Sequence, residues 1–398
     1  MNLNKIFKKK SFKTQEYHKA ANIRLVHSGN DYFETLENMI NSASHTIHLQ
    51  TYIFDEDETG IRVAKALRAA SARGVIIYMM LDSFGSNSLS RKFVNDLLFS
   101  GIHLRFFSPF FSFQNNYFGR RLHHKVIVAD QSSALIGGIN IADKYHGSAS
   151  EEAWLDYAVY INGSISIEIE RICKQLYGRK FIYNQNKINA APKEKLLEEN
   201  IFIRIRENDR LRRKNQVSDS YLQAIKNAKK SIFITGCYFL PGIKLRTALI
   251  KAAKRGVEVH LILAGVSDVP VFQSATKWLY DLLFRSGIKI YEWEKSVLHG
   301  KCALIDGKWA TIGSFNLNHL SAYGSIELNA DILDEHFTNL FQIHLKSVIA
   351  NGCKQIFPIH QNNSLAAKLK RWAAYQLTRM AIKTVVIFPY INPFKKFE

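Results

Sequence analysis

The stretch His123-His124-Lys125-Val126-Ile127-Val128-Ala129-Asp130, followed by Gly137-Gly138-Ile139-Asn140, is written again as His299-Gly300-Lys301-Cys302-Ala303-Leu304-Ile305-Asp306, followed by Gly313-Ser314-Phe315-Asn316. In both copies Asn follows His by 17 positions. Side chains at i and i+2 of a strand project from the same face, so one phosphate can meet both His and Lys. The apolar residues between Lys and Asp suit a buried strand, and the Gly pair lets the chain turn tightly and bring Asn back beside His. With residue types at ordinary abundance, such a match arises by chance about once in a million start positions. Two copies in register are therefore a duplication.

Working outward, the landmarks around each copy come in the same order. The aromatic-rich apolar run Ile47 to Phe54 corresponds to Ile232 to Phe239. A helical pattern follows, with Leu245, Ala248, Leu249, Ala252 and Ala253 on one face, and Arg255-Gly256 closes it as Arg73-Gly74 closes its counterpart. The strand-like runs Val75 to Leu81 and Val257 to Leu263 come next, then another helix, then Ser100-Gly101-Ile102 and Ser286-Gly287-Ile288. Alternating strand and helix predicts two α/β domains of one fold, each a mostly parallel sheet flanked by helices, related by a pseudo-twofold and sharing one site. The expected division is a basic tail over 1–22, domains over 23–195 and 196–350 joined near Asn184 to Asn200, and a C-terminal segment over 351–398.

A chain of 398 residues with 47% hydrophobic and 22% charged residues has the length and balance of two globular domains. Its 54 Lys+Arg against 34 Asp+Glu give a net charge of +20, which attracts polyanions without separating nucleic acid from anionic lipid. Cys173, Cys237, Cys302 and Cys353 form no CxxC pair and read as free thiols in a reducing compartment. The N-terminus has no secretion signal, and no apolar run reaches the ~20 residues of a membrane span, so a cytoplasmic location is expected.

The doubled HxKxxxxD motif with its G[GS]xN sequel resembles the phospholipase D superfamily over roughly Val26 to Ile349. Within it, Tyr238 to Gly242, Lys251 to Val257 and Leu298 to Lys301 are most similar to the bacterial cardiolipin synthases, in the short form without N-terminal membrane helices. The resemblance implies one active site with the catalytic set His123, Lys125, Asp130, His299, Lys301 and Asp306, and Asn140 and Asn316 on the substrate phosphate. It implies that Asp130 and Asp306 brace the motif from behind. It favours His123 as nucleophile and His299 as acid/base, although the sequence symmetry allows the reverse. Asp156 and Glu327 match the family's histidine-orienting acids, and we pair Asp156 with His123 and Glu327 with His299. Gly138 stands where phospholipases usually carry Ser, which removes a hydroxyl from the site. His124, of opposite strand parity, reads as a packed neighbour.

Phosphodiesters resist attack because the anion repels nucleophiles and the alkoxide leaves poorly. Two Lys and two Asn can clamp the non-bridging oxygens, one neutral His can attack phosphorus, and the other His can protonate the leaving alcohol. This scheme needs no metal or other cofactor. The expected activity is cardiolipin synthesis from two phosphatidylglycerol molecules through a phosphohistidine. A hydrolase or nuclease using the same two histidines is the alternative. The expected partner is an anionic phospholipid membrane rather than nucleic acid, met from the cytoplasmic side. Leu365 to Met380 mixes an apolar and a cationic face, as an interfacial helix does, or as a helix docked on the protein does. The aromatic insertion Phe106 to Arg121, immediately before His123, offers an acyl-chain entry, a domain contact or a base-stacking surface.

Overall fold

The computed structural model describes residues 17–107, 120–178, 201–358 and 364–387. The expected joint 184–200, the tail up to residue 16, most of the aromatic insertion and the apolar run beyond 387 lie outside these residues.

The duplication in sequence is a duplication in topology. One sheet runs, in spatial order, Asn22–His27, Tyr157–Asn162, Ser133–Gly137, Lys125–Ala129, Thr46–Thr51, Ile76–Asp82 and His103–Phe107. The other repeats that order with Ile201–Asp209, Ser325–Leu333, Trp309–Gly313, Lys301–Ile305, Ser231–Gly236, Glu258–Ala264 and Lys289–Trp293. It gains His18–Ala20 at one edge and Cys353–Ile356 at the other, so segments outside the expected domain limits complete the second sheet.

The sheets are mixed rather than mostly parallel. In the first, only the neighbours Thr46–Thr51, Ile76–Asp82 and His103–Phe107 pair in parallel, through the crossover helices Glu58–Ala72 and Arg91–Phe99; the remaining neighbouring pairs are antiparallel. Each motif strand leaves through a tight turn into its neighbour. The turns hold Asp130 and Gln131 at φ 51° and 57°, and Asp306 and Gly307 at φ 56° and 62°. Two successive positive φ values are the hairpin-turn geometry that Asp and Gly tolerate.

Period-2 burial then divides each motif strand between two cores. Val126, Val128, Ala134 and Ile136 join Cys302, Leu304, Ala310 and Ile312 in one core shared by both halves. Ile127, Ala129 and Leu135 face the first half's own core, and Ala303 and Ile305 face the second's. The sheets thus meet through a common apolar layer, and the motif strands lie in it.

The loop entering the central strand is pinned identically in each half. Arg73 donates to the carbonyls of Ile40, Asn41 and Ala43, and Arg255 to those of Ile225, Lys226 and Ala228. Asp130 accepts from the N–H groups of Ser44, His45 and Thr46, and Asp306 from those of Lys229, Lys230 and Ser231. Gly74 and Gly256, at φ 90° and 88°, take the left-handed conformation that closes the preceding helix.

Candidate active site

The two motifs meet by strand addition across the halves. Arg121–Leu122 pairs in parallel with Ser325–Ile326 of the second sheet, and the His123 N–H donates to the Ile326 carbonyl at 3.0 Å. Leu298 bridges Leu155 in parallel, and the His299 N–H donates to the Leu155 carbonyl at 2.9 Å. Each histidine is therefore set beside the residue that follows Ile326 or Leu155 in the opposite half.

Those residues are the orienting acids, and the pairing is crossed relative to expectation. His123 Nδ1 lies 2.9 Å from Glu327 Oε2, and His299 Nδ1 lies 2.6 Å from Asp156 Oδ2. The expected pairs fail on geometry. Within one half, the strand Ser133–Gly137 intervenes between Lys125–Ala129 and Tyr157–Asn162, separating them by about two strand spacings, near 9.6 Å.

The lysines stand where the period-2 rule puts them. Lys125 Nζ donates to the His123 carbonyl, and Lys301 Nζ donates to that of His299 while lying 3.8 Å from Asp156. Lys301 Nζ is also 2.9 Å from His299 Nδ1; with that nitrogen donating its hydrogen to Asp156, the contact is one of proximity. Asn140 Oδ1 accepts from the Ile53 N–H at 3.0 Å, and Asn316 Oδ1 from the Cys237 thiol at 2.9 Å. Asp130 and Asp306 belong to the loop-pinning arrangement at the far end of their strands, not to the group of side chains around the histidines. His124 faces away, buried, with Nε2 2.8 Å from Gln50. Arg120 pairs with the buried Asp209, and Arg121 lies 3.9 Å from the buried Asp82.

Gly138 has a steric cause. A Cβ there would come within 2.4 Å of Asp156 Oδ1. The corresponding Ser314 hydroxyl donates to Glu327 Oε2 at 2.5 Å, so it serves the acid behind the histidine. In the first half Asp156 closes over the glycine, and its Oδ1 instead accepts from the Tyr157 N–H at 2.7 Å.

Electrostatics follow from two lysines and two carboxylates out of water. Burial and then the nearby Lys301 charge, partly offset by Glu327 and Asp156, lower the Lys125 pKa to about 7. Burial, then the Lys301 charge, takes His299 down to about 4 against the pull of Asp156. His123 is lowered by burial, with Glu327 opposing. Burial raises Asp156, but the charges of Lys301 and His299 outweigh it and leave its pKa below the usual carboxylate value. Both imidazoles are thus neutral in the free site at pH 7, and an arriving phosphodiester anion favours protonating one of them.

Sequence reading passed over one group. Tyr145, five residues after Asn140, is buried; its hydroxyl accepts from Asn140 Nδ2 at 2.7 Å and lies 3.4 Å from His299 Nε2. The second copy has Ser321 at the equivalent place, and its hydroxyl accepts from the Asn316 N–H. Comparing the copies position by position outside the motif would have exposed the difference.

With this geometry in view, comparison with known proteins is informative. The family model described as "Cardiolipin synthase, PLD-like domain" matches residues 36–173 and again 221–349. The chain belongs to that family. It is 35% identical over 342 residues to cardiolipin synthase B of Escherichia coli, covering 84% of this chain and 82% of that one. It is 33% identical over 382 residues to cardiolipin synthase B of Salmonella typhi, covering 94% and 88%. Among solved structures, phosphatidylserine synthase of Haemophilus influenzae superposes with a TM-score of 0.71 over 94% of this chain and 97% of that one; at 14% identity this bears on fold alone. As a member of the cardiolipin synthase family, the chain is an enzyme with the phospholipase D-like fold repeated twice.

Proposed function

We propose that this enzyme makes cardiolipin from two phosphatidylglycerol molecules through a covalent phosphohistidine. The observation that carries the reading is the crossed pair of histidine–carboxylate contacts, which holds two Nδ1–H imidazoles with both Nε2 lone pairs available. His123 Nε2 attacks phosphorus and forms the P–N bond as the P–O bond to glycerol breaks; His299, protonated at Nε2, gives that proton to the departing oxygen. A second phosphatidylglycerol then enters. His299 takes the proton of its glycerol hydroxyl while the oxygen attacks phosphorus and the P–N bond breaks, releasing cardiolipin. Lys125, Lys301, Asn140 and Asn316 would hold the non-bridging oxygens, a clamp that strengthens as charge builds in the transition state.

A peripheral seat on an anionic membrane surface fits the C-terminal helix Leu365–Ile387. Ala374, Thr378 and Ile382 are buried, and the helix packs on Pro270–Trp278 and His319–Tyr323. It still leaves Leu365, Leu369, Trp372 and Met380 exposed as one stripe, flanked by Lys368, Lys370 and Arg379, with no acidic residue in the helix. Among the described residues no helix is long and apolar enough to cross a membrane. The test is purified enzyme with phosphatidylglycerol vesicles, scored for cardiolipin, glycerol and phosphatidic acid. Equimolar cardiolipin and glycerol are expected; phosphatidic acid as the sole lipid product, or cleavage of single-stranded DNA in its place, would sink the synthase reading.

A further inference from the structure

The Tyr145 hydroxyl has no counterpart in the second copy, where Ser321 stands, and its hydrogen-bonding direction is determined. The Ile53 N–H fixes Asn140 Oδ1 as acceptor, so Asn140 Nδ2 must be the donor to the Tyr145 oxygen at 2.7 Å. The hydroxyl hydrogen is then left to point elsewhere, and His299 Nε2 is 3.4 Å away. That distance is at the outer limit of a hydrogen bond, so the nitrogen is not committed to the phenol.

The ring is held firmly. It is buried, lies edge-on to His299 with centroids 5.2 Å apart, and is backed by Trp154 at 5.2 Å. Its short helix Asp143–His146 is tied down where the Asp143 N–H donates to Asp57 and Asp143 accepts from the Thr59 N–H. A fixed O–H donor therefore stands beside the atom that must exchange a proton with the alcohol.

Two neighbouring oxygens of a vicinal diol in its gauche form are separated by roughly one hydrogen-bond length, a spacing close to that between Tyr145 Oη and His299 Nε2. We propose that Tyr145 is a specificity-determining residue: while His299 Nε2 takes the proton of the attacking hydroxyl, the Tyr145 O–H donates to the adjacent hydroxyl of the acceptor. The site thereby selects 1,2-diol headgroups over water and simple alcohols. This rests on the phosphatidyl-transfer reading above. The leaving glycerol of the first step presents the same pair of oxygens, so the same contact serves both steps.

The test is a competition. Enzyme on phosphatidylglycerol vesicles is given propane-1,2-diol and propan-1-ol together, and the two phosphatidyl-alcohols are quantified. Both come from one phosphohistidine, so their ratio reports the second step alone, however fast the intermediate forms. The native enzyme should favour the diol, and Tyr145→Phe should lower the diol-to-monoalcohol ratio roughly three- to tenfold, the worth of one neutral hydrogen bond. An unchanged ratio in Tyr145→Phe overturns the assignment. So does a native enzyme that takes both alcohols equally, a measurement that needs no variant to fold. Formation of neither phosphatidyl-alcohol nor cardiolipin would instead count against phosphatidyl transfer itself.

Discussion

At the scale of single residues, the crossed acids make separable demands. Glu327→Gln keeps a hydrogen-bond partner for His123 but removes the charge that selects its Nδ1–H form, so kcat should fall on the order of 10²- to 10⁴-fold, as steady-state assays on phosphatidylglycerol vesicles would show. If Glu327→Gln left kcat within threefold of the native value, the carboxylate would have no part in orienting His123. The Lys125 pKa of about 7 sets a second expectation. Below that value Lys125 is charged and above it neutral, so KM for the anionic lipid should rise as pH climbs through 7 to 9. Arg keeps its charge throughout this range, so Lys125→Arg should flatten that rise, whatever it costs in rate. The motif made these residues legible, since spacing alone put His and Lys on one strand face. It carried no information on which acid served which histidine, because that is fixed by the backbone bonds of His123 and His299 to the opposite half.

At the scale of elements, Asp130 and Asp306 show how a residue in an active-site motif can serve the scaffold. Each carboxylate accepts three backbone N–H groups at the start of a central strand, from a turn residue whose left-handed conformation Asp and Asn tolerate. Asp306→Asn removes the charge without straining the turn. It should lower the urea unfolding midpoint by the equivalent of about 1–2 kcal/mol while kcat stays within threefold; a hundredfold loss of kcat at unchanged stability would place Asp306 in the chemistry instead. The helices and strands were readable from periodicity and glycine caps. Strand direction was not: a buried strand reached by a hairpin and one reached by a helical crossover have the same apolar composition, so the antiparallel part of each sheet passed as parallel. Tyr145 escaped for a related reason. Its burial in a short helix looks like ordinary packing until the neighbouring half supplies His299.

At the scale of the whole molecule, the shared core and the crossed pairs make the halves interdependent. Expressed separately as residues 1–190 and 191–398, each would expose its face of the common apolar layer and lack one acid, so neither should turn over phosphatidylglycerol; co-expression should restore cardiolipin formation. Activity of either half alone would contradict the crossed site. The same arrangement has a consequence during synthesis. His123 is separated from its carboxylate by 204 positions and His299 from its own by 143. As the nascent chain leaves the ribosome, the first motif is finished long before Glu327 appears, so the growing polypeptide carries His123 without its carboxylate for about half of translation. The two histidine–carboxylate pairs close only once the second half has emerged and folded onto the first, so assembly of the site is timed by the synthesis of Glu327.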